Sequence, residues 1–182
     1  GFGPAFDRTP PQDLEAEQGV LGGMLLSKDA IADVVEQLRG TDFYKPAHAH
    51  VFDAITSLYA QGEPADPITV AEELKRADLL ESVGGAGALV DLESQTPATS
   101  NAAFYAKIIE ERAMMRKLIG VGGEVAQLGY DIPDDVDKAV DTAESLVFRI
   151  AERRITDTMA PLHELIDLGL DRSVAAQLTL QR

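Results

Sequence analysis

The chain has 182 residues, with 16 Lys and Arg against 31 Asp and Glu for a formal net charge of −15; that balance argues against strong direct nucleic-acid binding, because Lys and Arg contacts to phosphate supply most nonspecific affinity. Cysteine is absent, which excludes disulfides, thiol catalysis, thiolate metal sites and iron–sulfur clusters. No apolar run is long enough to span a bilayer, and the opening GFGPAF lacks the basic and apolar regions of a signal peptide, so a cytoplasmic chain without a membrane partner is expected.

Hydrophobic residues make up 45% and aromatics only 5%, with no Trp, so the apolar material is mostly Ala, Leu, Val and Ile, a mixture that favours helices. Acidity is spread along the chain: residues 1–98 carry 6 Lys and Arg against 17 Asp and Glu, and residues 99–160 carry 8 against 11. Residues 1–10 read as a disordered tail or cloning remnant. Pro10-Pro11 then precedes an apolar pattern of Leu14, Val20, Leu21, Met24 and Leu25, and after Ser27 a second pattern runs Ile31, Val34, Val35, Leu38 at i, i+3, i+4, i+7, with Gly40 expected to end it. Pro46 stands near the start of a third helix striped by Val51, Phe52, Ile55, Leu58 and Tyr59, which Gly62 closes.

Thr69 followed by Glu72 predicts a capping box for a fourth helix with Val70, Leu74 and Leu79 on its buried face. Gly84, Gly85 and Gly87 predict a break before a short helix over 88–93. No segment alternates with period two for long enough to compete as a strand. Residues 11–98 thus read as a globular head of about five short helices.

From Asn101 to Leu128 no proline interrupts, and Phe104, Ile108, Met115, Leu118, Ile119, Val125 and Leu128 keep helical spacing. A turn in GYDIPDD follows. Val136, Ala139, Val140, Ala143, Leu146, Val147 and Ile150 then step by three and four, with Asp135 expected as the cap. Asp134, Asp135 and Asp137 near the start and Arg149, Arg153 and Arg154 near the end both complement the helix dipole. Residues 99–154 therefore predict an antiparallel hairpin of two long helices, whose core is too thin to be self-sufficient and calls for a partner. Residues 155–182 read as a linker followed by the start of a linker helix carrying Leu162, Leu165 and Ile166 on one face.

Four features invite chemistry and are outweighed by plainer readings. The glycines of RKLIGVGGEVAQLG at 116–129, like Gly84 to Gly87, lack the following Gly-Lys-Ser/Thr and the preceding strand of a phosphate loop. His48-Ala-His50 could suggest a metal pair, but i and i+2 do not share a helix face and no third ligand stands nearby; packing of His on apolar neighbours is the expectation. Asp131 to Asp137 lacks the Gly and Glu of a calcium loop. No catalytic, cofactor-binding or metal-binding residue is assigned.

Three stretches, PQDLEAEQGVLGGMLL at 11–26, DFYKPAHAHVFDAITSLYAQGEPADPITVAEEL at 42–74 and YAKIIEERAMMRKLI at 105–119, resemble the N-terminal domain of the bacterial DnaB-type replicative DNA helicases, and AESLVFRIAERR at 143–154 extends the likeness. The acidity and Gly/Ala content resemble an actinobacterial version. The resemblance implies an all-α, noncatalytic collar domain that pairs through its hairpin within a hexamer and recruits primase, with a helicase loader or initiator as a further partner. It also implies a parent ATP-dependent helicase whose separate C-terminal domain binds ATP and magnesium. On this reading Met115, Leu118, Ile119, Gly122, Gly123, Ala126, Val140, Ala143 and Val147 would form the subunit-pairing surface, and Leu162, Leu165 and Ile166 would dock the linker helix. The alternative is a stand-alone helical adaptor, or a primase- or loader-like interaction module of the same fold.

Overall fold

A computed structural model describes residues 8–96 and 101–152. The expectations for the tail, for Arg153 and Arg154, and for Leu162, Leu165 and Ile166 lie outside the described residues. Every regular element described is helical: α1 (Leu14–Leu26), α2 (Lys28–Gln37), α3 (Pro46–Ala60), α4 (Pro67–Arg76), α5 (Gly85–Ser94), α6 (Ala102–Tyr130) and α7 (residues 136–152), with short 3-10 turns at Gly40–Asp42 and Glu81–Val83. The chain divides into two compact units, Gly1–Arg116 and Lys117–Arg182. α6 is therefore shared, because Ala102, Ala106, Ile109 and Ala113 form a buried stripe on its first half.

In the first unit α1, α2 and α4 each start on a side-chain cap that relieves the free N–H groups of the first turn. Asp13 Oδ1 accepts from Ala16 N–H at 2.9 Å to open α1. Ser27 ends α1 and caps α2 at once, its backbone N–H reaching Gly23 O and its hydroxyl accepting from Ala30 N–H. Pro46 takes the first position of α3, where its fixed φ suits the helix and its missing N–H costs nothing.

Three boundaries differ from the sequence expectation. α2 stops at Gln37, and Gly40 opens a 3-10 turn instead of ending the helix; Asp42 draws the backbone round by accepting from Arg39 N–H at 2.8 Å. The capping box of α4 is Asp66 with Thr69, not Thr69 with Glu72: Asp66 Oδ1 accepts from Ile68 and Thr69 N–H at 2.9 Å each, while Thr69 Oγ1 accepts from Asp66 N–H at 2.9 Å. Asp-Pro places the cap one residue before the proline, which moves the helix start three residues earlier than a Thr69 cap would. The last break is confined to Gly84 and Gly85, the residues with positive φ, and α5 already includes Gly87 and Ala88.

α3 and α4 end in the same reverse turn with different residues at its left-handed position. After α3, Gly62 adopts φ 74° while Glu63 N–H reaches Leu58 O and Gly62 N–H reaches Tyr59 O. After α4, Asp78 adopts φ 58° with the matching bonds, Leu79 N–H to Leu74 O and Asp78 N–H to Lys75 O. Leu79 is thus folded back over Leu74 and does not continue the helix. Glycine takes this conformation freely, whereas a side chain carries a penalty there. Asp78→Gly is expected to raise stability by about 0.5 kcal/mol and Gly62→Ala to lower it by about 1 kcal/mol, read as opposite shifts in the urea midpoint.

The core of the first unit joins Val20, Leu21 and Met24 of α1, Val34 of α2, Val51, Phe52 and Ile55 of α3, Val70 and Leu74 of α4, Leu89 of α5 and Ile109 of α6. Phe43 and Phe52 pack with ring centroids 5.0 Å apart. Tyr105 of α6 lies so close to Gly19 of α1 that a Cβ there would sit 2.7 Å from its ring. In the second unit the end of α6 and α7 form a hairpin round the turn 131–135, and Asp135 Oδ1 accepts from Lys138 N–H at 3.0 Å as the cap of α7.

Candidate functional site

Two arrangements stand out, one buried in the head and one exposed on the hairpin. In the head, Glu17 and His48 are both buried, and His48 Nδ1 lies 2.6 Å from Glu17 Oε2. With the Glu17 oxygen as acceptor, the donor in this contact is His48 Nδ1–H. The same carboxylate accepts from Tyr44 N–H at 2.5 Å and from Lys45 N–H at 3.4 Å. Glu17 therefore caps the start of α3 from a different helix, where its charge also favours the positive end of the dipole.

This corrects the expectation that His48 simply packs on apolar neighbours. His50 is half-buried and its electrostatic effect falls on Asp53, whereas His48 is bonded to Glu17. Burial pushes the Asp53 carboxyl up from its ordinary value, with His50 pulling the other way. Its charged form is the disfavoured one in the folded chain, so its contribution to stability is fullest in acid and falls as pH rises through its raised pKa.

Arg116 closes the head from the other side. Its guanidinium donates to Pro11 O at 2.8 Å and to Asp42 O at 2.5 Å, and sits 5.6 Å from the centre of the Tyr44 ring. A planar fork of donors suits this bridging of two carbonyls. A shallow cleft of about 360 Å³ between α1, α5 and α6 is lined by Asp13, Gln18, Gln95, Thr96 and Tyr105 among others, without a nucleophile paired to a base. Among the described residues no group of three or more His, Asp or Glu is placed to hold a metal ion.

The hairpin carries a different kind of feature. Met115, Leu118 and Ile119 of α6 keep 42%, 45% and 43% of their surface exposed, and Val140 and Val147 of α7 keep 52% and 53%. Gly122 is exposed beside them, and Gly123, Ala126 and Ala143 are half-buried. At about 100° per residue, Val121, Val125 and Leu128 form the half-buried side of α6, and Leu118, Gly122 and Ala126 lie roughly a quarter-turn further round. On α7, Ala139, Ala143, Leu146 and Ile150 form the half-buried side, with Val136, Val140 and Val147 a quarter-turn further in the same sense.

Reversing a helix reverses its sense of rotation seen from one end, and turning its buried stripe back toward its neighbour reverses it again. The two reversals cancel. Both exposed stripes therefore look out on one side of the hairpin, as a continuous apolar surface two helices wide. Of the nine residues expected to pair subunits, Ala143 sits instead on the stripe between the two helices, and Val136 joins the exposed surface from outside that set. A Cβ added at Gly120 or Gly122 would meet nothing within 4 Å, so these glycines do not make room for another part of the described chain.

Residues 9–111 match the family model for the DnaB-like helicase N terminal domain. The chain is 51% identical over 168 residues to the replicative DNA helicase DnaB of Mycobacterium leprae, an alignment covering 91% of this chain and 28% of the relative. The chain thus spans less than a third of that protein. Among solved structures, the crystal structure of the N-terminal domain of DnaB helicase from Mycobacterium tuberculosis is 54% identical with a TM-score of 0.75, covering 78% of this chain and 99% of that one. A DnaB-like replicative helicase described with its interactions with primase matches at 21% identity and a TM-score of 0.64, over 85% of this chain and 35% of that one; at that identity the likeness is one of fold.

Proposed function

Since the chain belongs to the family of DnaB-like helicase N-terminal domains, we propose that it acts as the noncatalytic collar of a replicative DNA helicase, pairing subunits within a hexamer and recruiting primase. The observation that carries the pairing is the two-helix apolar surface formed by Leu118, Ile119, Val140 and Val147. Large apolar side chains left about half exposed on one contiguous surface mark an interaction site. A second copy fits, because a self-complementary patch closes a two-fold dimer with no further partner.

Primase recruitment is supported by the shared fold of the DnaB-like helicase described with primase. Unwinding, ATP and magnesium belong, on this reading, to a separate ATPase domain of the parent protein, and a helicase loader or initiator is a further partner. The acidic surface leaves encirclement of DNA to the assembled ring, without strong nucleic-acid binding by this domain. Among the described residues no helix is long and apolar enough to cross a membrane.

Sedimentation velocity at tens of micromolar tests the pairing. Dimers or larger species are expected, and a monomer throughout would overturn it. Addition of primase should then give a faster co-sedimenting species; separate boundaries at that concentration would remove primase recruitment while leaving pairing in place.

A further inference from the structure

The glycines of α6 carry a meaning that pairing does not supply. Gly120, Gly122 and Gly123 occupy three of four successive positions in a 29-residue helix, and each weakens a helix interior relative to Ala. Pairing accounts for Gly122, which lies on the exposed apolar side with Leu118 and Ala126. It does not account for Gly120, which projects roughly half a turn away, is exposed, and has nothing within 4 Å of where its Cβ would stand.

The position of this weak stretch is the second observation. One turn before it, Arg116 fastens α6 by bonds to Pro11 O and Asp42 O, and the boundary between the compact units falls immediately after that residue. Upstream of the fastening Ala102, Ala106, Ile109 and Ala113 are buried; from Lys117 to Tyr130 no residue is. The helix thus passes from a stretch with a fully buried stripe and a guanidinium anchor to one with only the half-buried stripe of Val121, Val125 and Leu128, and its poorest helix formers sit at that transition.

We propose that Gly120 to Gly123 form a flexure point in α6, at which the helix opens and bends as a local event while the Arg116-fastened half stays fixed. The weak element is the set of backbone bonds from residues 124–127 to the carbonyls of 120–123, which glycine leaves accessible to water.

Hydrogen exchange on the 182-residue chain tests this with two variants. In the unsubstituted chain the amides of 124–127 are expected to exchange at least about tenfold faster than those of 109–113. Gly120→Ala should slow exchange at 124–127 about fourfold, whereas Gly129→Ala, also at an open position of the same helix, should leave those amides unchanged. Equal protection along α6, or the same response to both substitutions, would overturn the proposal. Gly120 lies off the apolar stripe centred on Gly122 and Ala126, so its effect on exchange is separable from the question of pairing.

Discussion

Val140→Glu combined with Val147→Glu is expected to convert the paired chain to monomers, raising the dimer dissociation constant at least about a hundredfold, or roughly 3 kcal/mol. The reason is duplication. In a two-fold dimer each substitution occurs twice, so four carboxylates would be brought against an apolar surface of a chain that already carries net charge −15. Both valines are more than half exposed in the single chain, so the cost to the monomer fold should stay within about 0.5 kcal/mol. Sedimentation equilibrium together with a thermal melt separates the two effects. A double variant that still pairs with an unchanged constant would move the interface elsewhere; one that unfolds would place these side chains inside the hairpin, contrary to their exposure.

Glu17→Ala should behave in the opposite way, leaving any pairing surface intact and destabilising the head by about 3 kcal/mol. Removing the carboxylate leaves Tyr44 N–H and the His48 Nδ1–H without their acceptor, at a site where water cannot substitute because Glu17 and His48 are 1% and 4% exposed. A melting temperature lower by roughly 10 °C is the expected readout. Glu17→Gln separates charge from hydrogen bonding, since its amide oxygen still accepts from Tyr44 N–H. If Gln costs as much as Ala, the charge matters most; if Gln restores most of the stability, the acceptor geometry does. A Glu17→Ala melt unchanged from the parent would remove the proposed cap altogether.

Much of this architecture was legible from spacing, and the exceptions have physical causes. The stripe of α3 and the closing role of Gly62 follow from a 3.6-residue period and from the need for a left-handed residue at the helix end. Asp78 fills the same role after α4 without announcing it, because its side chain tolerates that conformation only at a penalty and sequence favours glycine there. At α4 two overlapping boxes, Asp66/Thr69 and Thr69/Glu72, fit the residues, and Pro67 selects the first.

The polar pair was also within reach. Glu17 precedes Val20, Leu21 and Met24, and His48 precedes Val51, Phe52 and Ile55, each at the first place of an i, i+3, i+4, i+7 stripe. An acid and an imidazole on the inward faces of two helices ask for each other. What spacing could not give is which helices meet, and so it could not bring Arg116 to Pro11 and Asp42. The apolar residues of the hairpin were visible in the sequence, but their division into a stripe between the helices, with Ala143, and a stripe facing outward, with Val140 and Val147, needed the direction of the turn at 131–135.

The bond from Arg116 to Pro11 joins residues 105 positions apart, and that separation sets an order of events during synthesis. α1 to α5 can collapse on one another as they emerge, but the segment before α1 gains this anchor only after the first half of α6 has left the ribosome. Long-range closures of this kind come late because chain entropy must be lost before the contact rewards it. The nascent head therefore waits, with the Ala102 to Ala113 face of its core uncovered, for a helix translated after it, and the same helix then runs on into the exposed apolar stripe of the hairpin. Closure of the head and formation of that exposed stripe are coupled through one continuous stretch of chain.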